Sequence, residues 1–140
     1  AIDEITAAEV DVAVAVEDIA HDEGAIARGT VAAQRHQWTA WVDGRPLIVF
    51  HAIYVTGGPD LLEPAWDWGA TRYRIVIDGD PPTELTMQGL RQPDGTMSHP
   101  GYPWTAMGAI NAIPEVCDAP AGWLTHFDVG LVMPRGLVRK

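Results

Sequence analysis

An α+β fold is what this sequence predicts: a mixed, mostly antiparallel sheet of five or six strands with one or two covering helices. Three observations lead there. Apolar and polar residues alternate over several segments, the period-two pattern of half-buried strands. Asp43-Gly44 and Gly79-Asp80-Pro81-Pro82 separate consecutive alternating segments, as tight turns between antiparallel strands do. Near residues 105–117 the apolar spacing becomes helical, with Ala106, Ile110, Ile113 and Cys117 along one face.

Taken in order, the first strand is set by Val10, Val12, Val14 and Val16, whose alternation with Asp11, Ala13, Ala15 and Glu17 predicts a strand with one buried face. Residues 18–29 carry two glycines and few large apolar side chains, and read as a connection with a short strand near Ile26. Residues 30–42 and 46–55 form a hairpin about Asp43-Gly44, because both central positions of its tight turn need positive φ. Loops of two or four residues put His36, Trp38 and His51 on one face of that hairpin; a loop of three residues puts His51 on the other. Residues 57–69 are a loop whose Trp66 and Trp68 cap a core edge or fill an interface. A second hairpin pairs residues 71–78 with 83–89 and turns Leu85 and Met87 inward. After a polar loop comes the helix, ended by Ala119-Pro120-Ala121-Gly122. Residues 123–132 read as a last strand or extended edge, and residues 134–140 as a frayed basic tail.

Size and charge bound the function. A chain of 140 residues, 47% hydrophobic and 20% charged, makes a single domain over 1–140 with a proper core. A net charge of −10 argues against nucleic acid and anionic membranes as partners. Apolar runs are too short to span a bilayer, and no basic segment followed by an apolar one opens the chain. The lone Cys117, on the apolar helical stripe, reads as a small buried hydrophobe in a reducing compartment, which points to the cytoplasm.

The motifs of common chemistries are missing. Five scattered histidines match no metal signature, and a cross-strand His36/His51 pair lacks a third ligand. The single serine, Ser98, stands beside His99 without a nucleophile elbow. Neither glycine-rich phosphate motif is encoded. Trp38, His51, Tyr54, Trp104, Thr105, Met107 and Asn111 together have the makeup of a small-molecule pocket, apolar walls with a few directed polar groups. They also suit an ordinary aromatic core with satisfied histidines. Asn111 in particular is either a pocket residue or a tie to a neighbouring loop, since a buried amide needs hydrogen-bond partners.

Four segments carry a family resemblance: G-A-I-A-R-G-T-V-A-A-Q-R-H-Q-W at 24–38, the hairpin D-G-R-P-L-I-V-F, Y-R-I-V-I-D-G-D-P at 73–81, and T-A-M-G-A-I-N-A-I-P-E-V-C-D-A-P-A-G at 105–122. In order and spacing they resemble the C-terminal half of dihydrodipicolinate-reductase-like NAD(P)H-dependent oxidoreductases, including the 2,4-diaminopentanoate dehydrogenases and native amine dehydrogenases. The resemblance implies a substrate-side and homodimerisation domain whose NAD(P)H is bound mainly by an N-terminal Rossmann domain outside this chain. It implies hydride transfer at a C=N or C–N centre, and no cofactor for this chain by itself. The catalytic segment of dihydrodipicolinate reductases proper has no counterpart here, which tells against that substrate. Thr105 and Asn111, followed by His51 and Trp38 on the hairpin, are the residues expected to approach substrate. The alternative is an independent small-molecule-binding or interaction domain without catalysis.

Overall fold

The computed structural model describes residues 1–21, 24–98, 101–130 and 132. They fall into two units along the chain, Ala1–Gly89 and Leu90–Lys140. In the first unit the strands are β1 (Glu4–Ala15), β2 (Ile19–His21), β3 (Gly24–Ile26), β4 (Val31–Val42), β5 (Arg45–Val55), β6 (Leu62–Glu63), β7 (Arg72–Ile77) and β8 (Thr83–Gln88). Six of them form one sheet in the order β6-β1-β4-β5-β7-β8, and β2 pairs with β3 alone. Every described pairing is antiparallel. The second unit holds α1 (Gly101–Asp118) and the short α2 (His126–Val129).

The hairpin turn forms as its dipeptide dictates, with Asp43 at φ 51° and Gly44 at φ 71°. Near the turn the register is that of a two-residue loop, Val42 opposite Arg45 and Trp41 opposite Pro46. A β-bulge then intervenes, and Ala40 pairs with Ile48, leaving Leu47 as the extra residue. Beyond the bulge the register has moved by one: Gln37 faces His51 and Trp38 faces Phe50. Because side chains alternate faces, the slip carries His51 to the face opposite His36 and Trp38, correcting the expectation that the three share a face. The same displacement removes the His36/His51 pair of possible metal ligands.

The sheet therefore presents two unlike faces. One carries Asp11, Ala13, Arg35, Gln37, Thr39, His51, Ile53 and Arg74. Loop 57–69 folds over the end of that face, where Trp66 packs with Ala13, Ala15, Ala33, Ile53 and Leu62 as the core. The indole of Trp66 donates to the Gly69 carbonyl at 3.0 Å. Thr71 closes the loop by accepting from the Val55 amide at 2.9 Å and donating to the Val55 carbonyl at 3.1 Å. Both loop tryptophans thus serve the core edge, as their sequence context suggests.

On the opposite face, rings of His36, Trp38, Phe50, Tyr73 and Tyr54 form a closed circuit with centroid separations of 5.4–6.3 Å. They surround Ala52, which is only 3% exposed although it lies on this open face. The Tyr54 hydroxyl, hydrogen-bonded to that of Tyr73 and partly buried, has its pKa pushed up to about 12.

Of the two faces of β1, the alanine one is buried: Val10, Val12 and Val16 are exposed, whereas Ala13 and Ala15 are buried, because the loop covers the alanine side. Other expectations are overturned. Leu85 and Met87 lie on the aromatic face of the outermost strand and are about half exposed, not turned into a core. On α1 the expected apolar stripe is open: Ile110 is 51% exposed, Ile113 56%, and Ala106 and Cys117 are exposed too. The side that is buried runs through Met107 and Asn111, one turn apart. Cys117→Ala is accordingly expected to shift stability by no more than about 0.5 kcal/mol, the usual range for a surface change, as a thermal melt of both proteins would show. In place of a final strand, α2 begins at Thr125, whose hydroxyl and amide both meet the Asp128 carboxylate at 2.6 Å in a capping box. The tail at residues 134–140, and His99 beside Ser98, lie outside the described residues.

Candidate functional site

The polar face of the sheet carries the most organised side-chain chemistry in the first unit, and its hub is Arg35. Burying a charged group is costly unless it is paired and hydrogen-bonded. Arg35 is 4% exposed and has a partner on every side. Its Nε and one terminal nitrogen each lie 2.6 Å from Asp11 Oδ2, and Glu9 stands 3.9 Å away. Its other terminal nitrogen donates to Gln37 Oε1 and, at 3.2 Å, to His51 Nδ1. The indole of Trp68 lies over the guanidinium at 4.0 Å from the ring centroid. Alternation explains the assembly: Asp11, Arg35 and Ile53 stand in one cross-strand row, Glu9, Gln37 and His51 in the next.

His51 is set in one protonation state by these neighbours. An arginine can only donate, so Nδ1 is the acceptor and the ring carries its hydrogen on Nε2. Burial first, then the charges of Arg35 and Arg74, hold the imidazole pKa below its ordinary value. Trp68 packs against the same ring at 5.3 Å between centroids. The outcome is a neutral imidazole with a fixed N–H donor, in contact with both a guanidinium and an indole.

This arrangement ties stability to pH. With a depressed native pKa, the unfolded chain takes up the His51 proton before the folded one does. The contribution of neutral His51 is therefore present above pH 6.5 and is lost as the pH falls below that value, levelling off below the lowered native pKa. The melting temperature of the wild type is expected to fall more steeply from pH 7.5 to 5.5 than that of His51→Asn. Parallel slopes would contradict the assignment.

Of the four residues singled out in the sequence, His51 alone belongs to this cluster. Trp38 stands on the other face, in the aromatic circuit. Thr105 and Asn111 belong to α1 in the second unit. Thr105 is exposed and its hydroxyl donates to the Gly101 carbonyl at 2.9 Å, as hydroxyls within helices commonly do. Asn111 is 8% exposed. Arg35, Asp11, Gln37 and Trp68 were missed. The available signal was a lone arginine amid the apolar alternation of a long strand, with an acid at a matching position of the neighbouring one.

Compared with protein-family models, the chain matches none, and no curated protein matches it either. Among the described residues, no helix is long and apolar enough to cross a membrane, and no group of three or more His, Cys, Asp or Glu is placed to hold a metal ion.

Proposed function

We propose that this chain is the substrate-side and dimerisation domain of an NAD(P)H-dependent oxidoreductase acting on C=N or C–N centres. The oxidoreductase class rests on the four sequence segments that resemble the amine-dehydrogenase-like reductases. The observation that best supports a substrate wall is the Arg35 hub: a buried, multiply bonded guanidinium holding His51 and Gln37 rigid on a face whose one end is covered by loop 57–69. Rigid, pre-oriented donors are what a binding site requires. No hydride step is assigned to these residues. In this reading the nucleotide belongs to a separate domain, and His51 and Gln37 orient the substrate. The aromatic circuit on the other face, with Val10, Val12, Leu85 and Met87 exposed around it, is the surface that a second copy covers.

The test has two arms. The full-length gene product is assayed for NADH and NADPH oxidation with cyclic imines, and with ketones plus ammonium, beside His51→Ala. Turnover that falls in the variant supports the reading; absence of turnover with every substrate overturns it. In the second arm, sedimentation equilibrium is expected to show a dimer for this chain and a monomer for Phe50→Glu. A wild-type monomer removes the dimerisation role. An independent small-molecule-binding domain is the second reading, favoured by a groove contained wholly within residues 1–89.

A further inference from the structure

That groove lies on the polar face at the end away from loop 57–69, beside the hairpin turn, and has a volume of about 430 Å³. Its size is in the range of small-ligand clefts. The residues that decide its chemistry are Glu9, Gln37, Thr39, Trp41, Pro46 and Val49. Two β-bulges adjoin it, one in β1 between Ala7 and Glu9 and the other at Leu47 in β5.

Two polar groups line it, Glu9 on β1 and Thr39 on β4, with Pro46 and Val49 of β5 as its apolar side. Glu9 supplies the first. Its side chain is 76% exposed and 3.9 Å from Arg35, whose short contacts all go elsewhere. Two carboxylates share a single guanidinium here, so the groove keeps a negative charge. The indole of Trp41 lines the same groove, steered by donation of its N–H to the Thr6 hydroxyl at 2.9 Å. A groove that holds a carboxylate and an aromatic ring attracts an ammonium group by charge and by the ring's quadrupole.

Thr39 supplies the second. It is 4% exposed, which is unusual for a residue lining a groove. A hydrogen-bond chain sets its direction: Arg35 donates to Gln37 Oε1, and Gln37 Nε2 donates to Thr39 Oγ1 at 3.3 Å. Having accepted, the threonine hydroxyl has its own hydrogen left to give, and no described residue takes it. A buried donor without an acceptor is costly, so it favours a ligand that offers one.

From this geometry we infer that the groove is a binding site for a small primary amine carrying a hydrogen-bond acceptor a short aliphatic spacer away. The ammonium group binds Glu9 and the acceptor takes the Thr39 hydroxyl hydrogen, within a groove whose apolar lining is Trp41, Pro46 and Val49. The site needs neither a nucleotide nor hydride transfer, so its test and that of the proposed function fail separately.

The probe is 4-aminobutanamide, titrated into the isotopically labelled chain by NMR, with butanamide and butylammonium as controls. The expected result is saturable shifts at the Trp41 indole N–H and the Thr39 amide, with a dissociation constant on the order of millimolar. Glu9→Gln, an exposed change that leaves the fold intact, weakens binding at least about tenfold. Thr39→Val weakens 4-aminobutanamide about threefold or more and leaves butylammonium unaffected. Three results overturn the inference: butanamide binding as tightly as 4-aminobutanamide, undiminished binding by either variant, or no shift at Trp41 up to about 50 mM probe.

Discussion

Replacing Arg35 with leucine is expected to lower the unfolding free energy by about 2–4 kcal/mol, read from urea midpoints at constant slope. Leucine fills part of the space and none of the bonding. Asp11 loses both short contacts, and Gln37 and His51 lose the donor that orients them. Trp68 loses the cation beneath its ring. The cost stays below that of stranding a fully buried ion, because the Asp11 side chain is 47% exposed and water can replace its partner. Arg35→Lys is expected to recover only a part, since an ammonium cannot span Asp11, Gln37 and His51 as the planar fork does. A leucine variant as stable as the wild type would mean that the hub contributes no stability.

Trp66→Ala is the second large effect, about 3–5 kcal/mol by the same measurement. Trp66 is 7% exposed and is the largest side chain of the core, so its loss leaves a cavity that small neighbours such as Ala13, Ala15 and Ala33 cannot close. Its N–H bond to Gly69 also disappears, and with it one anchor of the loop. Amide exchange separates the two consequences. Loop 57–69 is expected to lose protection first, and the central strands β4 and β5 to follow only as global stability falls.

Much of the fold is legible from local rules. Asp43-Gly44 specifies its turn, the second hairpin follows from its own punctuation, and α1 stops at the Ala-Pro-Ala-Gly run as expected. Burial is harder to read, because which face of a strand is covered depends on distant residues. The valines of β1 outrank its alanines in hydrophobicity, yet a loop some fifty residues downstream settles on the alanine side. In the candidate site the failure is one of parity. A single bulged leucine converts a correctly identified turn into an incorrectly assigned face, and no side-chain preference marks Leu47 as the extra residue. The sequence shows the Thr125–Asp128 capping box, but a run of apolar residues after a glycine suggests a strand just as readily.

The aromatic circuit gives the molecule a spectroscopic reporter of its own. Tyr54 and Tyr73 stand within energy-transfer range of Trp38, a ring close enough to them to quench tyrosine emission. Anything that settles over Ala52 changes the polarity seen by that indole, so the colour of Trp38 emission records whether this side of the sheet is covered. A protein in which Trp38 is the only tryptophan retained would make that record readable without any attached dye.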